Sequence, residues 1–275
     1  MLSIISGCCK IGQRLSGTEL GPATILKKLI DLKLLREEYN LYHVPHHDFH
    51  DAGFQKLYNY SAQTKDDVLT LGGDHSIGLP TVLASAYKWK HNTKVVWVDA
   101  HTDINTFESS PTGNLHGMPV SPLFSLMNPW FKTLDNQYYL NSSQLVYIGV
   151  RSIDKEELKI IEQLGIKMFR NVDVFKRGIT DILKEIVAES NDQTCFHLSF
   201  DIDSLDRKYA PSTGTVEDHG LSLDNGLEIV HTLVDTGKLR SYDLVEYNPQ
   251  IGSNEEKLLT LDTCIHLLQP YLAKY

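Results

Sequence analysis

Short apolar runs that end in glycine or acid alternate along this chain with stretches of helical spacing. LSIIS (Leu2 to Ser6) is the first apolar run. GPATILKKLIDLKLL (Gly21 to Leu35) follows, with Ile25, Leu26, Leu29, Ile30, Leu32 and Leu35 at helical intervals and Pro22 suited to the first turn. DVLTLGGD predicts a strand running into a loop near Asp74, and Pro80 a helix opening there and continuing through Ala86. KVVWVDAHTD, QLVYIGVR and HLSFDIDSLD repeat the theme of a strand ending in charged residues. IDKEELKIIEQLG is amphipathic, with Leu158, Ile161 and Leu164 on one face, and NGLEIVHTLVDTG is a helix with a glycine stop. SYDLVEYNP predicts the last strand and residues 255–272 a last helix. Such alternation implies a mostly parallel sheet covered on both faces, with ligands bound beyond the carboxyl ends of its strands.

Composition adds exclusions. The 275 residues suit a single α/β domain spanning residues 1–275 and can bury a core without staples. A net charge of −9 argues against nucleic-acid binding and against an anionic membrane surface. The four cysteines, Cys8, Cys9, Cys195 and Cys264, form no C-x-x-C pair and fit a reducing compartment. The N-terminus lacks the charged flank of a signal peptide, and no apolar run approaches the roughly 20 residues that span a bilayer. The expectation is a soluble, cytoplasmic protein.

Three segments carry candidate chemistry: GGDHS, DAHTDINT and FDIDSLD. They offer His75, Asp99, His101, Asp103, Asp201 and Asp203, each cluster just after an apolar run. In extended backbone, residues two apart point to one side, so D-x-H-x-D and D-x-D would project together. Carboxylates and imidazoles without thiolate suit Mn²⁺, with Zn, Co or Fe as competitors, and six such groups suit two ions sharing carboxylates. A lone D-x-D is more often a cap or a solvated turn, and spacing alone leaves both readings open. HVPHHDFHD gathers His43, His46, His47 and His50 but lacks fixed carboxylate partners, and reads as a surface loop after the second strand. Cys8 and Cys9 read as packing residues.

GGDHSIG, VVWVDAHTDINT, GNLHGMPV, HLSFDIDSLD, PSTGT and LVEYNP resemble the signature segments of the arginase family, in that family's order, and GQRLSGTELGPATI resembles its opening loop and helix. The resemblance runs from about Ile4 to about Pro249. It implies a three-layer α/β/α sandwich and hydrolysis of L-arginine to L-ornithine and urea by a hydroxide bridging two Mn²⁺ per subunit, with Co²⁺ or Fe²⁺ as substitutes. An agmatinase or another guanidino-acid ureohydrolase is the alternative, and a non-catalytic relative that only binds metal or a basic amino acid a more distant one. The resemblance implies that His75, Asp99, Asp103 and Asp201 hold one ion and His101, Asp99, Asp201 and Asp203 the other. Asp103 would accept and pass on a proton, Glu246 would pair with the guanidinium, and His116 would shuttle a proton. Standing alone, Glu246 reads rather as a strand-end ion pair and His116 as a structural loop histidine, and their place in the matching motifs reverses both.

On the substrate side, Asn105, Ser110 and Thr112 map to the α-carboxylate, and Asp154, with Glu157 beside it, to the α-amino group, while Thr215 lies in PSTGT. Asp154 also reads as a helix N-cap. Ser110 and Thr112 exchange the usual threonine and serine, Ser152 stands where animal arginases often carry another aspartate, and Arg207 replaces a common proline. The partners expected are L-arginine and copies of the same chain, as a trimer or a hexamer, although the chain stops at Tyr275 without the longer tail of animal arginases.

Overall fold

The computed structural model describes residues 1–35, 38–49, 51–132 and 139–275. Eight strands are described: β1 (Leu2–Gly7), β2 (Tyr39–Val44), β3 (Asp67–Gly72), β4 (Thr93–Val98), β5 (Leu145–Val150), β6 (Lys167–Arg170), β7 (Cys195–Asp201) and β8 (Leu239–Val245). They form one sheet in the order β2-β1-β3-β8-β7-β4-β5-β6, with every pair parallel. The inner strands read as near-continuous apolar runs because both of their faces are covered, whereas the edge strands β2 and β6 keep exposed positions.

The period-two alternation splits β4 between two cores. Val96 and Val98 face a cluster with Ile25 and Leu29 of α1 (Gly21–Asp31), Val174 of α5 (Asn171–Arg177), Ile182 of α6 (Ile179–Ala188), Val230 of α7 (Leu223–Asp235) and Leu268 of α8 (Asn254–Leu272). Val95 and Trp97 face Phe54 and Leu57 of α2 (Asp51–Gln63), Val82 of α3 (Gly78–Trp89) and Ile161 of α4 (Lys155–Leu164). Helices on two faces of a parallel sheet are the three-layer sandwich expected.

Local chemistry moves several boundaries. The first helix stops at Asp31 rather than Leu35, because Lys33 takes a left-handed φ of 55° and Leu34 donates back to the carbonyl of Leu29. Leu34 and Leu35 still pack against the core. The helix expected at Pro80 begins two residues earlier, leaving the proline in the first turn, where a missing N–H costs nothing. The histidine tract is not wholly a loop. His43 lies in edge strand β2, paired there with Ser6, and His46 and His47 lie in a short 3₁₀ turn at residues 46–48. His50 lies outside the described residues. Among the described residues, no helix is long and apolar enough to cross a membrane.

Register decides where chemistry collects. Leu71, Leu244, Phe200 and Val98 form one row across β3, β8, β7 and β4. One residue further, the chain delivers Gly72, Val245, Asp201 and Asp99 at a common level. Here the strand order departs from the chain order, as expected of a ligand crevice in an open α/β sheet.

Candidate metal centre and cleft

Each strand end places its side chains by a local hydrogen bond. After β3, Asp74 caps a 3₁₀ turn (His75–Ile77), accepting from Ser76 N at 3.1 Å and from Gly12 N at 2.6 Å. Gly73 must be glycine, since a Cβ there would lie 1.8 Å from the carbonyl oxygen of Cys9. After β4, Asp99 accepts from His101 N at 2.7 Å and from Trp97 Nε1 at 3.0 Å. Asp201 accepts from Asp203 N at 2.8 Å and caps a second 3₁₀ turn (Ile202–Ser204). The D-x-D pair thus meets through a turn closed by its own carboxylate, not through the pleat of an extended strand. Asp103 (φ 51°) and Glu246 (φ 70°) adopt left-handed backbone, which costs a carboxylate residue about 1 kcal/mol and persists only where surroundings enforce it. Here Glu246 N donates to Gly73 O at 2.8 Å and Val120 N to Asp103 O at 3.0 Å.

The side chains converge on two adjoining points. His75 Nδ1 lies 2.9 Å from Asp99 Oδ2 and 3.2 Å from both Asp103 Oδ2 and Asp201 Oδ2, yet makes a well-directed hydrogen bond with none of them. Its other nitrogen pairs with Ser199 Oγ at 2.9 Å, and its ring stacks on Trp97 at 4.1 Å. His101 Nδ1 lies 3.4 Å from Asp99 Oδ1 and 3.2 Å from Asp203 Oδ2. Two ligand groups result, His75/Asp99/Asp103 and Asp99/His101/Asp203, sharing Asp99.

The electrostatics without a cation are costly. Burial, then the charge of Asp99, pushes the Asp103 carboxyl up to about 7, and burial with Asp203 and Asp99 pushes Asp201 well above the carboxylate range. Burial opposes a charged His75, but Asp103, Asp201 and Asp99 together raise it well above its ordinary value. Four buried carboxylates, with imidazole nitrogens aimed at shared centres rather than at hydrogen-bond acceptors, are a donor set that fits divalent cations.

Above this floor lies a cleft of about 330 Å³. His75, His101, Asp103, Asp201 and Asp203 line it, with Asp99 fully buried beneath. His116, Glu246, Asn105, Ser110, Thr112, Asp154, Glu157 and Thr215 line it too, so one cavity brings together every remaining residue that the sequence singles out as functional. Glu246 accepts from His75 N at 2.9 Å and lies 3.4 Å from His116 Nδ1. Burial would raise this carboxyl, but His116 and the hydrogen bonds outweigh it and hold Glu246 low. In return, against burial, Glu246 lifts His116 to about 9.

Asn105 accepts from Ser109 Oγ at 2.8 Å and donates to Asp154 Oδ2 at 3.2 Å. Ser110 and Thr112 accept backbone N–H groups of Gly113 and Asn114, which leaves their own hydroxyl protons available. Asp154 occupies the N-cap of α4 while facing the cleft. Glu157 accepts from Ile104 N at 3.2 Å and Asp154 N at 2.9 Å, which ties the metal loop to the helix start.

Sequence reasoning passes over several supporting residues. Trp97 and Ser199 stand two positions before Asp99 and Asp201, so the strand period could have found them. Arg151 donates to the carbonyls of Asp203, Ser204, Glu217 and Asp218 and fixes the D-x-D turn. Gln13 donates to Glu246 Oε2 at 2.7 Å across 233 positions, for which the chain carries no local signal. Cys8 and Cys9 are buried and their thiols are pushed up by burial, in keeping with packing.

Known proteins resemble this chain in sequence and in fold. The chain is 44% identical to the arginase of Neurospora crassa over 194 residues, covering 68% of this chain but only 54% of that protein. It is 36% identical to the hepatic arginase of Aquarana catesbeiana over 287 residues, covering 94% of this chain and 88% of that protein. The solved structure of Entamoeba histolytica arginase in complex with L-ornithine superimposes with a TM-score of 0.86 at 30% identity, over 97% of each chain. Residues 2–268 match the description of the arginase family, and with the fold and the paired ligand groups this establishes that the chain belongs to that family.

Proposed function

We propose that the protein hydrolyses the guanidinium group of L-arginine to give L-ornithine and urea. The observation that carries this reading is the pair of ligand groups sharing Asp99 on the floor of a cleft whose wall is Glu246. His75, Asp99 and Asp103 would hold one Mn²⁺, and Asp99, His101 and Asp203 the other, with Asp201 beside both. When bound, such a pair lowers the pKa of water and supplies hydroxide near neutral pH.

The chain's own residues do the rest. Glu246, held as a carboxylate, pairs with the guanidinium and turns its carbon toward the floor. Asp103 takes the nucleophile's proton and hands it to the leaving amine. His116, lifted to about 9, stands at the same wall as a proton store for the departing amino group. Asn105, Ser110 and Thr112 supply donors for the α-carboxylate. Asp154 supplies the anion for the α-amino group, with Glu157 bonded to its backbone and Thr215 in the same cleft lining.

The test is urea release from L-arginine and from agmatine by manganese-loaded protein. The expected result is release from arginine that is abolished by chelation and by Asp103→Ala. Release chiefly from agmatine would overturn the roles of Asn105, Ser110 and Thr112. No release from either substrate by protein holding two ions would overturn the activity itself.

A further inference from the structure

The loop after β1 is fastened to the site at several points. Gly12 N donates to Asp74 Oδ2 at 2.6 Å, and Gly12 O accepts from His116 N at 3.1 Å. At its far end, Ser16 O accepts from Asn248 Nδ2 at 3.1 Å. Gly17, at φ 120°, approaches Asn248 so closely that a Cβ would lie 2.0 Å from its Oδ1. Between these anchors Gln13 reaches Glu246 Oε2 at 2.7 Å. Glycine in PSTGT makes room for it, since a Cβ on Gly214 would lie 2.7 Å from Gln13 Oε1.

The two oxygens of Glu246 are therefore held by two different segments of the chain. Oε1 accepts from His75 N and Oε2 from Gln13, so the carboxylate cannot rotate about its own axis without breaking one bond. A carboxylate has about four acceptor positions; Oε1 also faces His116 Nδ1 at 3.4 Å, and the remainder are open to the cleft that Glu246 lines. A guanidinium presents parallel N–H groups in one plane, and a carboxylate whose plane is already fixed receives two of them without giving up rotational freedom.

We propose that Gln13 is a positioning residue that locks the plane of Glu246 and so makes the cleft selective for a planar, fork-shaped cation. The inference rests on the functional reading above. Gln13→Met keeps length and volume but cannot donate, and Gly214→Ala displaces the amide without removing it. Each manganese-loaded variant is titrated calorimetrically with guanidinium chloride, which has only the fork, and with L-ornithine, which lacks it. Both variants weaken guanidinium binding, Gln13→Met by about tenfold, the scale of one charge-assisted hydrogen bond. L-ornithine affinity and manganese content stay at wild-type values, any fall in melting temperature is no larger than the loss of one hydrogen bond, and the KM for L-arginine rises.

Equal weakening of both ligands, or of neither, overturns the proposal, as does a wild type that takes up no guanidinium. A wild type that binds guanidinium, with the variants weakened, but releases no urea overturns the hydrolytic reading and leaves the positioning role standing.

Discussion

His75 shows how much of this site depends on side chains that never face the cleft. Its ring is held between Trp97 on one face and Ser199 on its outer nitrogen, so Nδ1 points only at carboxylates. Ser199→Ala removes the bond that fixes this tautomer, and partners of that kind are worth about 10- to 100-fold in metal affinity. The variant is expected to fold normally and to lose manganese at a lower chelator concentration in a graded dialysis series. Retention equal to wild type would show the serine to be dispensable. D-x-H-x-D and D-x-D are legible as ligand candidates only in combination, because three acid and histidine clusters each just after an apolar run exceed what caps and turns alone require. The left-handed backbone of Asp103 and Glu246 is not legible, because nothing marks a carboxylate residue for a conformation that favours glycine.

The start of α4 joins the metal loop to the substrate wall. Glu157 is only 5% exposed and accepts two backbone N–H groups, one from each segment. Glu157→Ala orphans both and should cost about 1–3 kcal/mol of stability, read as a lower melting temperature. Loosening the segment that carries Asn105 should raise KM for arginine more than it lowers kcat, and steady-state kinetics on the same preparation checks this. A fall in kcat at constant KM would place the residue in the chemistry instead. The amphipathic pattern of IDKEELKIIEQLG was legible as a helix, and in NGLEIVHTLVDTG so was the glycine that ends it, Gly237 at φ 68°. In α6, Ile179, Ile182, Leu183 and Ile186 are buried at helical spacing, a pattern equally present in the sequence though not singled out there. α2, with its polar DAGFQKLYNYSAQ, offers a weaker stripe and takes its helical state from packing on α3.

For the molecule as a whole, the buried acidic floor is a liability that cations relieve. Ions that bind the folded chain and not the unfolded one stabilise it by about 4 kcal/mol at a thousand times their dissociation constant. Adding Mn²⁺ to stripped protein should therefore raise the melting temperature in a dose-dependent way, followed by calorimetry. Asp99→Ala, which removes the shared ligand, should abolish that rise, and an undiminished rise would relocate the ions. A mostly parallel sheet covered on both faces was readable from the alternation of elements, but the strand order was not. Nothing in HLSFD or SYDLV states that these segments lie between β3 and β4, because parallel neighbours are chosen by distant crossovers rather than by adjacent sequence.

That order also dictates a timetable. Residues 1–72 can assemble β2-β1-β3, and residues 93–170 can assemble β4-β5-β6, but each half ends in an open edge facing the other. Only β7 and β8, from the last third of the chain, close the gap, and they bring Asp201, Asp203 and Glu246 with them. Until that segment leaves the ribosome, whatever the earlier strands have assembled, the two halves have nothing to join them. Assembly of the reactive centre and closure of the sheet are a single late event, so a nascent chain cannot capture its ions before it has finished folding.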